Sequence, residues 1–207
     1  MARFREFSYF SSDECTNRIF SGSFIVNLFE QYHQEPLRCN DFSFVVSKIR
    51  AQLSALRTVF EQTPELSRTV LDLGCGNTGT DWEQKIGPDY QPWLSRALHH
   101  IKGTDKYKQY SIERIVGVDI GHLREQFECY SLDAFKSGAL DVIPGRLGVI
   151  IASAFFNSPR LSYSRWGDFR NDSGNHELTA QLQQEIEPLL DRKLIAGTEG
   201  LVLYNEH

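Results

Sequence analysis

Two acidic residues and two glycines stand at the ends of two apolar runs, where they can form a ligand site. The first run, Thr69–Leu73, carries Asp72 and leads into Gly74-Cys75-Gly76, and the second run ends at Asp119. A glycine has no Cβ, so its backbone can turn sharply and approach a ligand within contact distance. Asp72 can attract an ammonium group, and Asp119 can accept hydrogen bonds from both hydroxyls of a ribose. The pattern predicts a site for a positively charged nucleoside.

The elements that must position these residues alternate between strands and helices. Short apolar runs predict strands at 69–73, 114–119, 147–155 and 200–204, and helical spacing predicts helices at 92–102 and 177–192. Such alternation is typical of an α/β fold with a doubly wound, mostly parallel sheet. In such a sheet the ligand binds at the carboxyl ends of the strands, where the strand order reverses.

The N-terminal third of the chain has a different pattern. Apolar residues at helical spacing predict one or two short helices within Ser11–Tyr32 and a longer helix from Asn40-Asp41 to Thr63-Pro64. We therefore divide the chain into an N-terminal helical cap, residues 1–66, and a Rossmann-like domain, residues 67–207. The cap is expected to cover the core, with a substrate lid as the alternative.

Three motifs of the Rossmann-like domain resemble those of class I S-adenosylmethionine-dependent methyltransferases. The segment Val70-Leu71-Asp72-Leu73-Gly74-Cys75-Gly76 resembles the first motif of this class, commonly written D-x-G-x-G. Val116-Gly117-Val118-Asp119-Ile120 resembles the second motif, and Ser131-Leu132-Asp133-Ala134-Phe135 lies where the third is expected. The resemblance covers roughly Thr69 to Tyr204, about two thirds of the chain.

The resemblance implies a fold of the class I methyltransferase type, the cofactor S-adenosyl-L-methionine and the transfer of its methyl group. Gly74 and Gly76 would hold the methionine part of the cofactor, with Asp72 near its amino group. Asp119 would bind the ribose hydroxyls, and the third motif would lie beside the adenine. The expected cofactor-binding residues are Asp72, Gly74, Cys75, Gly76, Asp119, Ile120, Asp133, Ala134 and Ser153.

The sequence departs from the pattern of this class in two ways. The third glycine of the usual G-x-G-x-G is displaced, because position 78 is Thr and the glycine is Gly79. In addition, 47 positions separate Asp72 from Asp119, more than one helix between two strands usually needs. The extra residues, 80–91 and 103–111, are expected to form loops over or beside the cofactor.

Two other functions remain open. The first is an NAD(P)-binding oxidoreductase, because Gly74-x-Gly76-x-x-Gly79 also satisfies G-x-G-x-x-G. A dinucleotide site needs a helix N-terminus at the pyrophosphate, whereas Thr80-Asp81-Trp82-Glu83 brings acidic residues there, which suit a sulfonium and an ammonium better. The second is a non-catalytic or partner-dependent methyltransferase homologue. After Tyr204 the sequence has no room for the full terminal hairpin that is usual in this class.

The methyl acceptor is expected beyond the strand predicted at 147–155. Relatives that methylate exocyclic amino groups of bases, or glutamine side chains, carry an Asn/Asp-Pro-Pro-aromatic motif there. Phe155-Phe156-Asn157-Ser158-Pro159 does not match it, so we expect a small molecule methylated at oxygen or nitrogen. Arginine and aromatic side chains can stack on a planar acceptor or clamp a carboxylate. The candidate substrate-binding residues are Phe156, Asn157, Arg160, Tyr163 and Trp166, and no catalytic residue is assigned.

Composition limits which binding partners and which cellular compartment can be expected for this protein. A net charge of −5 disfavours long nucleic acids, whose binders usually carry a basic face. The sequence has neither a secretory signal nor an apolar run of about eighteen residues, so we expect a cytoplasmic protein without a membrane partner. The four cysteines and six histidines lack ligand spacing, which predicts no metal site. A homo-oligomer, or a partner chain that completes the sheet, remains open.

Overall fold

One parallel sheet of six strands organises the computed structural model, which describes residues 2–9, 12–32, 39–76, 91–102, 104–110, 112–153, 155, 176–195 and 201–205. Its strands are β1 (Arg3–Glu6), β2 (Thr69–Leu73), β3 (Arg114–Asp119), β4 (Glu128–Ser131), β5 (Val149–Ser153) and β6 (Leu201–Asn205). The helices are α1 (Glu14–Ile19), α2 (Gly22–Tyr32), α3 (Cys39–Gln62), α4 (Trp93–Ile101) and α5 (His176–Asp191), with 3₁₀ helices at Asp105–Tyr110 and Ala139–Val142. Within this part of the chain, no helix has both the length and the apolar composition to cross a membrane. The predicted α/β fold with a parallel sheet is confirmed.

The strand order is β1-β6-β5-β2-β3-β4, and every neighbouring pair is parallel. From β2 the chain proceeds outward through β3 to β4 and then returns to the other side of β2, where β5 and β6 follow. The order therefore reverses between β2 and β5, as in a Rossmann-like sheet. Asp72 lies opposite Gly117 of β3 and Ile151 of β5, so it sits beside this reversal.

Different helices cover the two faces of the sheet, because successive residues of a strand point to opposite faces. Val70 of β2 and Ile151 of β5 belong to an apolar cluster with residues of α2, α3 and α4. Leu71 and Leu73 belong to a second cluster with residues of α5. Strands buried on both faces are continuously apolar, which explains why β2 and β5 were recognisable in the sequence. Asp72 shares the face of Val70 and therefore points toward α3 and α4.

The first strand lies within the segment that the sequence predicts to be a helical cap. β1 pairs with β6, with Phe4 opposite Val202, and Phe7 N extends the pairing by donating to Tyr204 O at 2.9 Å. The strand thus occupies the sheet edge beside β6. Three of its four residues are exposed, and they are charged, as is common on edge strands. The strand was missed because it forms no apolar run.

The predicted helices of the cap are confirmed as α1, α2 and α3, and Asp13 joins two of them. Asp13 caps α1 by accepting hydrogen bonds from Thr16 N at 2.6 Å and Thr16 Oγ1 at 2.8 Å. From α3, Ser54 Oγ and Arg57 Nη1 donate to the same carboxylate at 2.5 and 3.0 Å. Burial by itself raises the pKa of Asp13, but the hydrogen bonds from Ser54 and Thr16 and the charge of Arg57 lower it to about 2. Asp13 therefore fastens α1 to α3 as an ionised group.

Candidate functional site

The turn after β2 is fastened to the end of β3. Gly74 N donates to Val118 O at 2.7 Å, and Gly76 N donates to Asp119 Oδ2 at 3.1 Å. The other carboxylate oxygen, Asp119 Oδ1, accepts a hydrogen bond from Gly121 N at 2.6 Å. Because a carboxylate oxygen can accept more than one hydrogen bond, this role of Asp119 in the turn is compatible with binding two ligand hydroxyls.

Both glycines of the turn have a backbone conformation that other residues rarely adopt. Gly74 has φ +69° and Gly76 has φ +102°, in the left-handed region that favours glycine. At Gly74 the space matters as well, because a Cβ there would lie 2.5 Å from Phe155 Cδ2. Phe155 in turn stacks on Phe135, with ring centroids 5.5 Å apart and an interplanar angle of 5°. The missing side chain at Gly74 therefore lets the turn pack against this aromatic pair.

Asp72 is a carboxylate held out of water behind the turn. Its exposed fraction is 2%, and Ser95 Oγ of α4 donates to Asp72 Oδ2 at 2.6 Å. Burial raises the pKa of Asp72 to about 6, although the hydrogen bond from Ser95 and the charge of Lys48 oppose this, while Asp119 adds to it. Its surroundings thus compensate the negative charge only in part, which favours a cation nearby.

Helix α4 also holds the segment that follows β3. Arg96 Nη2 and Glu125 Oε1 form an ion pair at 2.7 Å, with side chains only 4% and 2% exposed. Arg96 Nη1 donates to Gln91 Oε1 at 2.5 Å, and the guanidinium lies 4.8 Å from the ring centroid of Trp93. Loss of either partner of such a buried pair would leave an unpaired buried charge, which is strongly destabilising. Ser95 and Arg96 therefore connect one helix to the end of β2 and to the segment between β3 and β4.

The residues expected beside the adenine lie next to the end of β3. Leu132 N donates to Asp119 O at 2.9 Å, which brings the segment after β4 to the carboxyl end of β3. Asp133 Oδ1 accepts a hydrogen bond from a backbone N–H two residues later at 3.0 Å, and Ala134 is buried. Ile120 is 46% exposed and offers an apolar surface at this position.

Ser153, at the end of β5, contacts a residue that the sequence did not single out. Its Oγ lies 2.5 Å from the hydroxyl of Tyr9, and both side chains are buried. The ring of Tyr9 packs edge-on against Phe44 of α3, with centroids 6.1 Å apart, and Lys48 Nζ lies 5.8 Å from the centroid of Tyr9. An isolated tyrosine before the first helix has no periodic signal, so spacing could not have identified it.

Cys75, between the two glycines, has no reactive character. Its Sγ donates to Gly76 O at 3.3 Å. Burial, together with the negative charges of Asp72 and Asp119, raises its pKa well above the usual value. Because the thiolate is the nucleophilic form of cysteine, this thiol stays protonated and unreactive at neutral pH.

The predicted cofactor-binding residues lie together along the side of the sheet that is formed by the carboxyl ends of its strands. They lie at or just after the carboxyl ends of β4, β3, β2 and β5, which are adjacent in that order. Ser95 and Lys48, which interact with Asp72, were not predicted. The predicted substrate-binding residues lie outside the described part of the chain: Phe156, Asn157, Arg160, Tyr163 and Trp166.

Comparison with known proteins adds no assignment. No protein family matches the sequence, and no curated protein matches it significantly. In the part of the chain that the structure describes, no three His, Cys, Asp or Glu side chains are grouped so that they could hold a metal ion.

Proposed function

We propose that this protein is an S-adenosylmethionine-dependent methyltransferase that acts on oxygen or nitrogen of a small-molecule acceptor. The observation that carries the proposal is the pair of carboxylates at the strand-order reversal, Asp72 behind the turn and Asp119 hydrogen-bonded to Gly76 N at 3.1 Å. The resemblance of these two strand ends to the first two motifs of class I methyltransferases supports the same function.

The electrostatics of this edge favour a cationic ligand. Burial, together with the nearby charge of Asp119, raises the pKa of Asp72 to about 6, so an ionised Asp72 gains from a cation beside it. S-adenosylmethionine carries an ammonium and a sulfonium, whereas the pyrophosphate of NAD(P) would add negative charge beside two carboxylates. We therefore prefer the methyl donor to the dinucleotide.

The contribution of the chain to the reaction is positioning. S-adenosylmethionine, when bound, supplies a methyl group that is activated by the sulfonium. Asp119 would accept hydrogen bonds from the ribose hydroxyls, and Asp72 would attract the ammonium group. The hydrogen bond from Ser95 holds Asp72 at the end of β2, and the hydrogen bond from Gly76 N ties the turn to Asp119 at the end of β3. Correct alignment of two reactants can supply much of the rate enhancement in such a transfer.

Isothermal titration calorimetry with S-adenosylmethionine and S-adenosylhomocysteine tests this function. We expect Asp119→Ala to weaken binding of both by about 10- to 100-fold, because it removes hydrogen bonds to a charged acceptor. Asp105→Ala is the matched control and should bind normally. This carboxylate is 92% exposed and lies in the 3₁₀ helix Asp105–Tyr110, which leads into the amino end of β3, at the opposite end of that strand from Asp119 and not in the position expected for residues 103–111.

Two results would contradict the proposal. One is a folded wild-type protein that binds neither compound at millimolar concentration. The other is a change in NADH fluorescence on mixing with the protein, which would favour an oxidoreductase.

A further inference from the structure

Two side chains of α3, Phe44 and Lys48, face the segment that follows β1, close to the end of β5. They are four residues apart and therefore lie on the same side of the helix. Both contact Tyr9, whose hydroxyl is 2.5 Å from Ser153 Oγ. We call Tyr9, Phe44, Lys48 and Ser153 the α3 wall.

The α3 wall lies beside the carboxylate assigned to the donor. Lys48 acts electrostatically on Asp72 and lowers its pKa, and Ser153 ends the strand adjacent to β2. The wall thus borders the strand-order reversal on the β5 side, while Asp119 and Ile120 border it on the β3 side. A donor held by Asp72 and Asp119 would have the α3 wall as its neighbour.

The exposure of the wall differs from residue to residue. Tyr9 and Ser153 are buried, whereas Phe44 is 42% exposed, one of few large apolar side chains so exposed among the described residues. Lys48 is partly exposed. An exposed ring can pack against a planar molecule, and an ammonium group can form a charge-assisted hydrogen bond with an anionic oxygen. The wall therefore presents an apolar surface next to a positive charge.

We propose that the α3 wall binds the methyl acceptor and selects a planar acceptor that carries a carboxylate. The inference rests on the proposed function, because the acceptor must lie beside the donor. Phe44 packs against the ring of the acceptor, and Lys48 pairs with its carboxylate. The charge of Lys48, which already acts on Asp72, offsets the repulsion between that carboxylate and Asp72, an offset that the two phosphates of NAD(P) at the turn would lack. The contacts of Tyr9 with Ser153 and with both α3 side chains keep the wall in position.

The test compares two probes that differ only in charge, 3,4-dihydroxybenzoate and 3,4-dihydroxybenzamide. Binding is measured by NMR titration of wild-type protein saturated with S-adenosylhomocysteine. We expect the acid to bind at least about tenfold more tightly than the amide, because one charged hydrogen bond supplies about that factor. Lys48→Met and Lys48→Gln should remove this preference by weakening the acid alone. Phe44→Ala should weaken both probes.

The matched control is Lys108→Met, which should leave the preference unchanged. This lysine is 77% exposed and lies in the 3₁₀ helix Asp105–Tyr110. Thermal unfolding of each variant verifies that it is folded. Equal affinity for acid and amide, no binding of either at about 10 mM, well above the millimolar range of weak complexes, or a preference that survives both Lys48 variants would overturn the inference. Each of these results leaves the proposed function intact if S-adenosylhomocysteine binds, whereas failure of that compound to bind contradicts the proposed function itself.

Discussion

Asp13 and Asp72 are the same residue type, yet their surroundings shift their pKa values in opposite directions. Asp13, at the start of α1, accepts hydrogen bonds from Thr16 and Ser54 and pairs with Arg57, and its pKa is about 2. Asp72, at the end of β2, is more deeply buried, and its pKa is about 6. The surroundings of Asp13 provide enough hydrogen-bond donors and positive charge to stabilise its ionised form. The surroundings of Asp72 offset the cost of burying its charge only in part.

On the proposed function, this difference separates a structural carboxylate from one that binds the donor. Ionised Asp13 stabilises the fold, because the native state holds its negative charge more favourably than water does. Ionised Asp72 costs folding free energy, because desolvation exceeds the help from Ser95 and Lys48. Strongly perturbed carboxylates with incomplete compensation cluster at functional sites, where stability is often sacrificed.

The largest change in the free energy of unfolding is expected from Asp72→Asn, which keeps the shape of the side chain and removes its charge. The folded-state pKa of Asp72 is raised from 3.8 to about 6, so its ionisation penalty is absent below pH 4 and complete above pH 6. Asp72→Asn should therefore raise the free energy of unfolding by about 2 to 3 kcal/mol at pH 8 and leave it nearly unchanged at pH 4. Urea denaturation at both pH values measures this. The same variant should lose donor binding, and a variant less stable than wild type at pH 8 would contradict the interpretation of Asp72.

Substitutions of Asp13 are expected to lower the free energy of unfolding, by less than Asp72→Asn raises it. Asp13→Ala removes the cap of α1 and the acceptor of Ser54, so it should lower the free energy of unfolding by about 2 kcal/mol at pH 7. Asp13→Asn retains one capping oxygen but removes the charge and the second acceptor oxygen, to which Ser54 Oγ and Thr16 Oγ1 donate. Because the side chain is 41% exposed, solvent screening limits the loss that comes from the charge to about 1 kcal/mol.

The pH dependence of the two Asp13 variants follows from a lowered pKa. With a folded-state pKa of about 2 instead of 3.8, the contribution of the charge is present above pH 4 and disappears as the pH falls toward 2. The part of the difference between wild type and Asp13→Asn that comes from the charge should vanish over that range. A constant difference down to pH 2 would show that the charge of Asp13 has no stabilising role.

The smallest effect is expected from Ser95→Ala. This change removes the hydroxyl that donates to Asp72 at 2.6 Å, so the pKa of Asp72 should rise further and the unfolding free energy at pH 8 should fall by about 1 kcal/mol. In the Asp72→Asn background the loss should be smaller, because the acceptor is neutral. Equal losses in both backgrounds would mean that Ser95 acts through packing alone.

The sequence predicted the elements that are buried on both faces of the sheet. β2 and β3 begin and end at the predicted residues, since their apolar runs end in polar or turn residues. β1 and β4 were not predicted as strands, because both lie at sheet edges and carry polar or charged residues. Edge strands need only one partner and little apolar surface, so their pattern is weak.

The same physical limit applies to the candidate site. Asp72 and Asp119 were identifiable because each belongs to a strand end followed by a turn, which is a local pattern. Ser95, Lys48 and Tyr9 come from separate elements, and their contacts arise only when α3, α4 and the segment after β1 pack on the sheet. Contacts between side chains of separate elements leave no periodic pattern in the sequence, so these three residues could not be predicted from it.

The most direct test of the site is the pKa of the Asp72 carboxyl group, measured by ¹³C NMR with and without S-adenosylmethionine. The Asp72→Asn spectrum assigns the signal, which should titrate near pH 6 in the free protein. A bound cation stabilises the ionised form, so the donor should lower this pKa by about one unit or more. A pKa that is unchanged at saturating donor, or a donor-free value near 4, would contradict a cation site at Asp72.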